Sequence, residues 1–422
     1  MKNGTLIAIR SFIVSAGATA ASSFIGVFGV FIGATAVEMG WLQSTANAIS
    51  NGGQILWGRL SDKFGRRKPF LISGSVVLAI LWYMLSYIRT PLGLIIIYAV
   101  ISLFGSLITV NWFSLIADQI NSNVRGRFLS IVNVLSSIGT IASLIAMVFL
   151  FRGNVTRDIF IPFSTAAGSY IVSAVLMAFL NESSAVRKFS GNLMITLKNL
   201  RHENRLFYRY FMAMNVQGLF WSMAWPMFPM TIVLVMRFDL SQVALLTIAS
   251  LFTSVVVQYL LGRITDRVSR PPLIFGNRLM LSAIPLFYAF FSNFREFIVL
   301  EIYGGILGSI QNVVMNSYLL DIVPDGHRAE YISIMNGFNG LVYLIGALSG
   351  GYILAFMEAL FPIRTALIYS YMIVFAGRFI SAFLFMGLRE PDQKGRAPLG
   401  LYSFLLRSKQ PGNPSGGTMR AR

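Results

Sequence analysis

The chain has 422 residues, 55% of them hydrophobic and only 12% charged, with 34 Lys and Arg against 16 Asp and Glu. A soluble chain carries about 25% charged residues, so a fully water-exposed surface is excluded. Cysteine is absent and the two histidines, His202 and His327, fall in polar connecting segments, which excludes disulfides and cysteine nucleophiles and argues against any metal or other cofactor centre. A hydrocarbon core needs about 20 apolar residues per helix. Such stretches recur at 10–36, 39–60, 69–88, 92–117, 126–151 and 160–181, and after a polar segment at 206–236, 240–262, 272–292, 297–320, 329–357 and 363–388. The first is longer than a signal-peptide core of about 7–15 residues and is expected to be retained. The pattern predicts an all-α membrane protein with twelve transmembrane helices in two pseudo-symmetric six-helix bundles. The expected division is an N-terminal bundle at 1–181, a cytoplasmic central loop at 182–205, a C-terminal bundle at 206–388 and a basic cytoplasmic tail at 389–422, expected to be disordered.

The breaks between spans alternate between base-rich and base-poor. Arg10, the cluster Arg59, Lys63, Arg66, Arg67 and Lys68, then Arg125, Arg127, Arg278, Arg328 and the bases of the central segment and tail fall on one side. Six fall on the other: Arg89, Arg152, Arg157, Arg237, Arg295 and Arg364. Arg378 lies inside the last span and is expected to snorkel to the headgroups. The positive-inside rule then puts both termini in the cytoplasm. The formal charge of +18 becomes a mark of sidedness and gives no support to a nucleic-acid partner. A multi-pass protein of the plasma membrane is expected, a monomer with the lipid bilayer as its solvent.

The two halves repeat. GRLSDKFGRRKP around Gly58 corresponds to GRITDRVSRPP around Gly262 at an offset of 204, and Asp118, Arg125, Ser130 and Asn133 correspond to Asp321, Arg328, Ser333 and Asn336 at 203. Independent matches at one offset indicate two homologous bundles. Here the chain resembles the major facilitator superfamily over residues 1 to about 390. Gly58, Asp62, Gly65, Arg66 and Arg67 carry that family's loop motif, and Gly262, Asp266 and Arg270 carry a decayed copy in which Ser269 replaces the second glycine. The resemblance implies a secondary transporter working by alternating access. It also implies that the loop acid docks on a helix N-terminus of the opposite half and holds the inner gate closed, as a helix dipole favours an acid there. The plainer alternative is a loop that only anchors helix ends by charge. Asp118, Arg125, Asp321 and Arg328 join the gating set through the second repeat.

In this family the first, second, fourth and fifth helices of each half surround the cavity. The intramembrane amides fall on those helices: Asn47, Asn51 and Gln54, Asn111, Asn133, Asn215 and Gln217, Gln258, Gln311, Asn312 and Asn316, Asn336 and Asn339. The outer spans hold only Asn277. Asn47, Asn51, Gln54 and Gly58 share one helical stripe, as do Gln217, Trp221 and Trp225, where Pro226 and Pro229 predict a kink. Ser15, Thr19, Ser22 and Gly26 form a small polar stripe on the first span. Solute contact and interhelical hydrogen bonding stand as alternatives for the amides, and helix packing through small residues as the alternative for the first-span stripe.

No charged side chain falls near the midplane of a predicted cavity helix, which points to a neutral or amphipathic solute. Amides with tryptophans suit a sugar-like solute and equally a drug-like one, so an uncoupled sugar facilitator and a multidrug-type exporter remain alternatives. Glu301 is the one acid within a cavity helix. It is the candidate for coupling to protons, against an interfacial pairing with Arg295 or Arg364. No catalytic cluster is visible, so an enzyme is not expected, and a receptor or channel would not need duplicated cytoplasmic loops.

Overall fold

The computed structural model describes residues 2–120, 122–180, 204–264, 268–324 and 328–391. Among them run twelve helical elements of bilayer length. α1 begins as Lys2–Val14, passes through a π turn at Ser15–Thr19 and continues as Ala20–Ser22 and Ile25–Phe31. α2 is Ala36–Phe64, α3 Lys68–Leu85, α4 Pro91–Gln119 and α5 Ser122–Leu150, and α6 comprises Val155–Asp158 and Phe160–Ala178. α7 comprises Arg205–Met223, Met227–Met230 and a π turn at Thr231–Val235. α8 is Leu240–Ile264, and α9 comprises Arg270–Ser282 and Ile284–Phe290. α10 comprises Phe294–Ile310, a π turn at Gln311–Met315 and Asn316–Ile322. α11 is Arg328–Leu360, and α12 comprises Ile363–Ala382 and the 3₁₀ turn Phe383–Gly387.

Local chemistry sets the ends. Thr35 and Glu38 close a capping box at the start of α2, and Asn293 with Glu296 does the same for α10, so both acids satisfy helix N–H groups that would otherwise lack acceptors. Thr90 caps α4, with Pro91 at its first position, where a missing N–H costs nothing. α7 breaks between Met223 and Met227, at the Pro226 that the sequence marks as a kink.

Eleven of the twelve elements are long and apolar enough to cross a bilayer. The exception, α2, has ample length at 29 residues but carries Gln43, Ser44, Thr45, Asn47, Ser50, Asn51 and Gln54 through its middle. A helix of that polarity is sustained in a membrane only where protein or a wet cavity covers it. Elsewhere large apolar side chains face outward, Phe149 and Phe179 among them, as lipid requires.

α3 pairs with α6 and α9 with α12, each pair lying on the outside of its own half. The halves meet through α2 along α11, α5 along α8, and the last part of α1 against the last part of α7. The meeting is confined mainly to one face, the one opposite the chain ends, called here the far face. A Cβ on Gly351 would lie 2.6 Å from the Ala36 carbonyl, so backbones touch there, and one on Gly26 would lie 2.8 Å from the Pro229 ring. Toward the middle of α2, Asn51 abuts Gly340 of α11. Beyond it Gly58 meets only Val110 of its own half, and Gly337 meets nothing within 4 Å. The buried cores divide in the same way. One apolar cluster runs through the N-terminal half into Met223, Met227, Phe297 and Tyr371 of the other half. A second, with Phe207, Tyr210, Tyr318 and Phe385, belongs to the C-terminal half alone. The two halves thus form a V closed at the far face.

Candidate functional site

A cavity of about 410 Å³ lies inside the N-terminal half, walled by α1, α2, α4 and α5, with Trp82 of α3 and Tyr170 of α6 behind. Its α1 wall is Arg10, Ser11, Val14, Ser15, Ala18, Thr19 and Ser22. Three of these lie in the π turn Ser15–Thr19, and such turns widen a helix locally and often mark functional positions. The small polar stripe of α1 therefore splits. Ser15, Thr19 and Ser22 face the cavity, whereas Gly26 provides the close approach of α1 to α7. Hydroxyls around the wall donate to their own helices: Ser22 to the Thr19 carbonyl at 2.7 Å, Ser102 to Tyr98 at 2.8 Å and Thr109 to Gly105 at 3.0 Å. Each keeps acceptor lone pairs for another group.

Arg10 corrects two expectations. The sequence places it in a base-rich break and leaves the cavity without a cation. α1 instead begins at Lys2, so Arg10 sits about two turns inside the helix, is 3% exposed and lines the cavity. Its Nε donates to Ser173 of α6 at 2.9 Å and its guanidinium lies 4.0 Å from the centroid of the Trp112 ring. Nη2 has no hydrogen-bond partner. Arg278, also assigned to a break, is equally buried, between Gln311, Met214 and Met315. Arg378 does not snorkel. It is 1% exposed, donates to the Phe220 and Trp221 carbonyls of α7 at 3.2 and 2.7 Å, and lies over the Trp221 ring. These arginines tie helices together within each half, a role that span boundaries alone do not reveal.

Among the candidate amides, only Asn133 lines this cavity. Asn47 and Asn51 donate back to the carbonyls four residues earlier on α2, Gln43 and Asn47, and Asn51 rests on Gly340 where the halves part. Gln54 is half-buried on the same stripe. Asn111 is fully buried, donating to Leu107, with its oxygen unpartnered. In α7, Gln217 is 2% exposed with neither amide atom partnered, Trp221 carries Arg378, and Trp225 packs edge-on against Tyr343 of α11. Asn312 lies in the π turn of α10 and accepts, through its carbonyl, from Asn316. Asn336 is exposed, and Asn339 is half-buried with its side-chain oxygen unpartnered. The outlying Asn277 is an internal tie, donating to Leu307 of α10. The wall residues Trp82, Tyr98, Trp112 and Tyr170 escape a search for polar spacing. The stripe formed by Arg10, Ser15 and Thr19 is the signal that would have located the cavity.

The loop motifs have a local logic. Gly65 closes α2 in the left-handed conformation, φ 65°, with its N–H on the Ser61 carbonyl, a C-cap that favours glycine. Arg67 donates to the Ser61 hydroxyl at 2.7 Å, and Arg66 is exposed. In the second half Ser269 is extended, φ −61°, so the glycine's loss there carries no strain. Gly262 falls in the last turn of α8. Arg270 is 1% exposed and paired with Asp321 at 2.8 Å and with Glu390, joining the start of α9 to the ends of α10 and α12. Asp266 lies outside the described residues, as do the side chains of Asp62, Asp118, Arg125 and Arg328.

Glu301 forms no ion pair with Arg295 or Arg364 among the described residues. It accepts from the Tyr288 hydroxyl at 3.4 Å and from Ser250, and Tyr288 packs at a tilt against Phe228 and Tyr371 inside the C-terminal half.

Two six-helix halves that close on one face and part toward the other, around polar walls inside an apolar exterior, define a two-bundle membrane transporter. The profile of the Major Facilitator Superfamily matches the chain twice, over residues 7–216 and 210–412. The chain belongs to this superfamily and is a secondary transporter of a small solute. Solved structures similar in fold include the nucleoside transporter NupG, 13% identical with a TM-score of 0.72 over 92% of this chain and 98% of that one. They also include a D-xylose-proton symporter, 14% identical, 0.67, over 94% and 97%. A bacterial homologue of the human lysosomal transporter Spinster, in an inward-facing and occupied conformation, is 13% identical, 0.69, over 93% and 97%. No relative is found among curated proteins.

Proposed function

We propose that the chain carries a small neutral or amphipathic solute across the plasma membrane by alternating access, as a monomer that catalyses no chemical change. The observation that carries this reading is the parting of two halves whose far face is closed, with a cavity lined by hydroxyls, aromatics and Arg10 inside the N-terminal half. Bundles at 1–181 and 206–388, a central loop at 182–205 and a tail at 389–422 are the working division, with both termini, loop and tail cytoplasmic by the distribution of bases. On that orientation the structure is an inward-facing state. Cysteines in this cysteine-free chain test the sidedness. One at the exposed Lys63 should react only from the cytoplasm and one at the exposed Ser292 only from outside, and the reverse result would overturn the orientation. Saturable solute uptake into proteoliposomes, with the solute recovered unchanged, tests transport itself. A chemically altered product would sink the reading.

Coupling to protons is assigned to Glu301, a carboxylate inside a membrane helix whose described hydrogen bonds are to the hydroxyls of Ser250 and Tyr288 and to no base. Glu301→Gln is expected to abolish accumulation driven by a pH gradient while sparing downhill exchange. If accumulation survives, the coupling role is wrong and an uncoupled facilitator becomes the better reading.

A further inference from the structure

The cation that lines the N-terminal cavity is poorly compensated. Arg10 is buried about two turns into α1, beside the Ser173 hydroxyl, the face of Trp112 and Tyr170. Among the described residues no carboxylate pairs with it, and Nη2 is left without an acceptor. A buried guanidinium in that condition is costly, because desolvation is only partly offset by a neutral hydroxyl and a ring face. Arg378, its counterpart at the junction of the first and last helices of the other half, is held by two backbone carbonyls and opens on no described cavity. The contrast matters. Arg378 is held on two sides, whereas Arg10, which lines the cavity, has an unpartnered nitrogen.

We infer that Arg10 is the anion subsite of the transported solute, and that the solute is a small organic monocarboxylate. The inference rests on the transporter reading and narrows its amphipathic class. A single guanidinium with one unpartnered nitrogen matches a single negative charge, since a phosphate dianion or dicarboxylate would leave charge uncompensated. Around Arg10 the cavity walls combine aromatic faces at Trp82, Trp112 and Tyr170 with hydroxyls at Ser15 and Thr19, which fits an apolar or aromatic body carrying one acid group. The volume of about 410 Å³ lies in the range of about 300–1,000 Å³ typical of small-molecule sites. Binding supplies the missing counter-charge only in states where the cavity is accessible, so solute and conformation are linked through this residue.

Purified full-length protein is challenged with butyrate and benzoate, each against its primary amide, and with inorganic phosphate, reading thermal midpoint and calorimetric affinity. At least one carboxylate should bind about tenfold or more tightly than its amide, the scale of a charge-assisted hydrogen bond. Arg10→Gln should erase that preference and Arg10→Lys retain part of it. The comparison of acid with amide in the unaltered protein needs no variant, so a misfolded Arg10→Gln does not blunt the test. Amide binding equal to acid, phosphate binding above both carboxylates, an unaltered preference in a folded Arg10→Gln protein, or no carboxylate binding would each overturn the inference. Proteoliposome uptake separates the two readings. If the amides enter as fast as the acids, the subsite is wrong and the transporter stands. If the acids bind with the stated preference but never cross, the subsite stands and transport of this class is wrong.

Discussion

At the scale of single residues, the informative positions are those where charge is buried. Arg270 is held by Asp321, itself 46% exposed, and by Glu390, 7% exposed. Water screens the first partner, so it adds little. The second is enclosed and bonds both the Arg270 side chain and its backbone N–H. Arg270→Ala would leave the Glu390 carboxylate buried without its guanidinium, a change that costs about 3 kcal/mol in comparable buried pairs. The thermal midpoint of the detergent-solubilised protein should fall markedly for Arg270→Ala and only slightly for Asp321→Ala. Equal losses would mean that the exposed pair carries the tie. The repeat at offset 204 makes Arg270 legible as a motif residue. Its burial is not legible, because burial depends on where α12 ends and turns Glu390 inward.

At the scale of elements, the far-face seam between α2 and α11 sets which way the cavity opens. Gly40 and Gly351 bring the two backbones together, and a side chain at 351 would run into the Ala36 carbonyl. Overpacking such a seam costs more than the closed state can absorb, so Gly351→Leu is expected to shift the equilibrium toward a state open at the far face. A reporter cysteine at Gln43, beside the Gly26 approach to α7, should then react several-fold faster with an impermeant reagent added from that side. Unchanged labelling would show that the seam does not control access. The polar stripe of α2 was readable from spacing, and it explains why this helix alone falls short of membrane hydropathy. The π turns of α1, α7 and α10 were not. An extra residue in a turn leaves the composition untouched, and the break of α1 at Ser23 and Phe24 is where Gly26 departs from the line of Ser15, Thr19 and Ser22.

At the scale of the whole molecule, alternating access requires two states of nearly equal free energy. An anion at a helix N-terminus is worth about 0.3–2 kcal/mol, enough to move such an equilibrium several-fold. If the Asp62 loop has the gating role that the superfamily motif implies, Asp62→Asn should slow turnover in proteoliposomes several-fold while leaving the thermal midpoint nearly unchanged, since the contact is needed in only one of the two states. Full turnover would exclude gating through this acid. The amino-acid sequence by itself determined the membrane class, the twelve helices, the duplication and the family, because hydrophobic length, base asymmetry and loop motifs are local and additive along the chain. Only the tertiary structure decided that Arg10, Arg278 and Arg378 turn inward, that one amide of the candidate set lines the N-terminal cavity, and that Glu301 meets a tyrosine and no arginine. Those outcomes depend on helix rotation and on which half touches which, and both are set by packing between residues up to hundreds of positions apart.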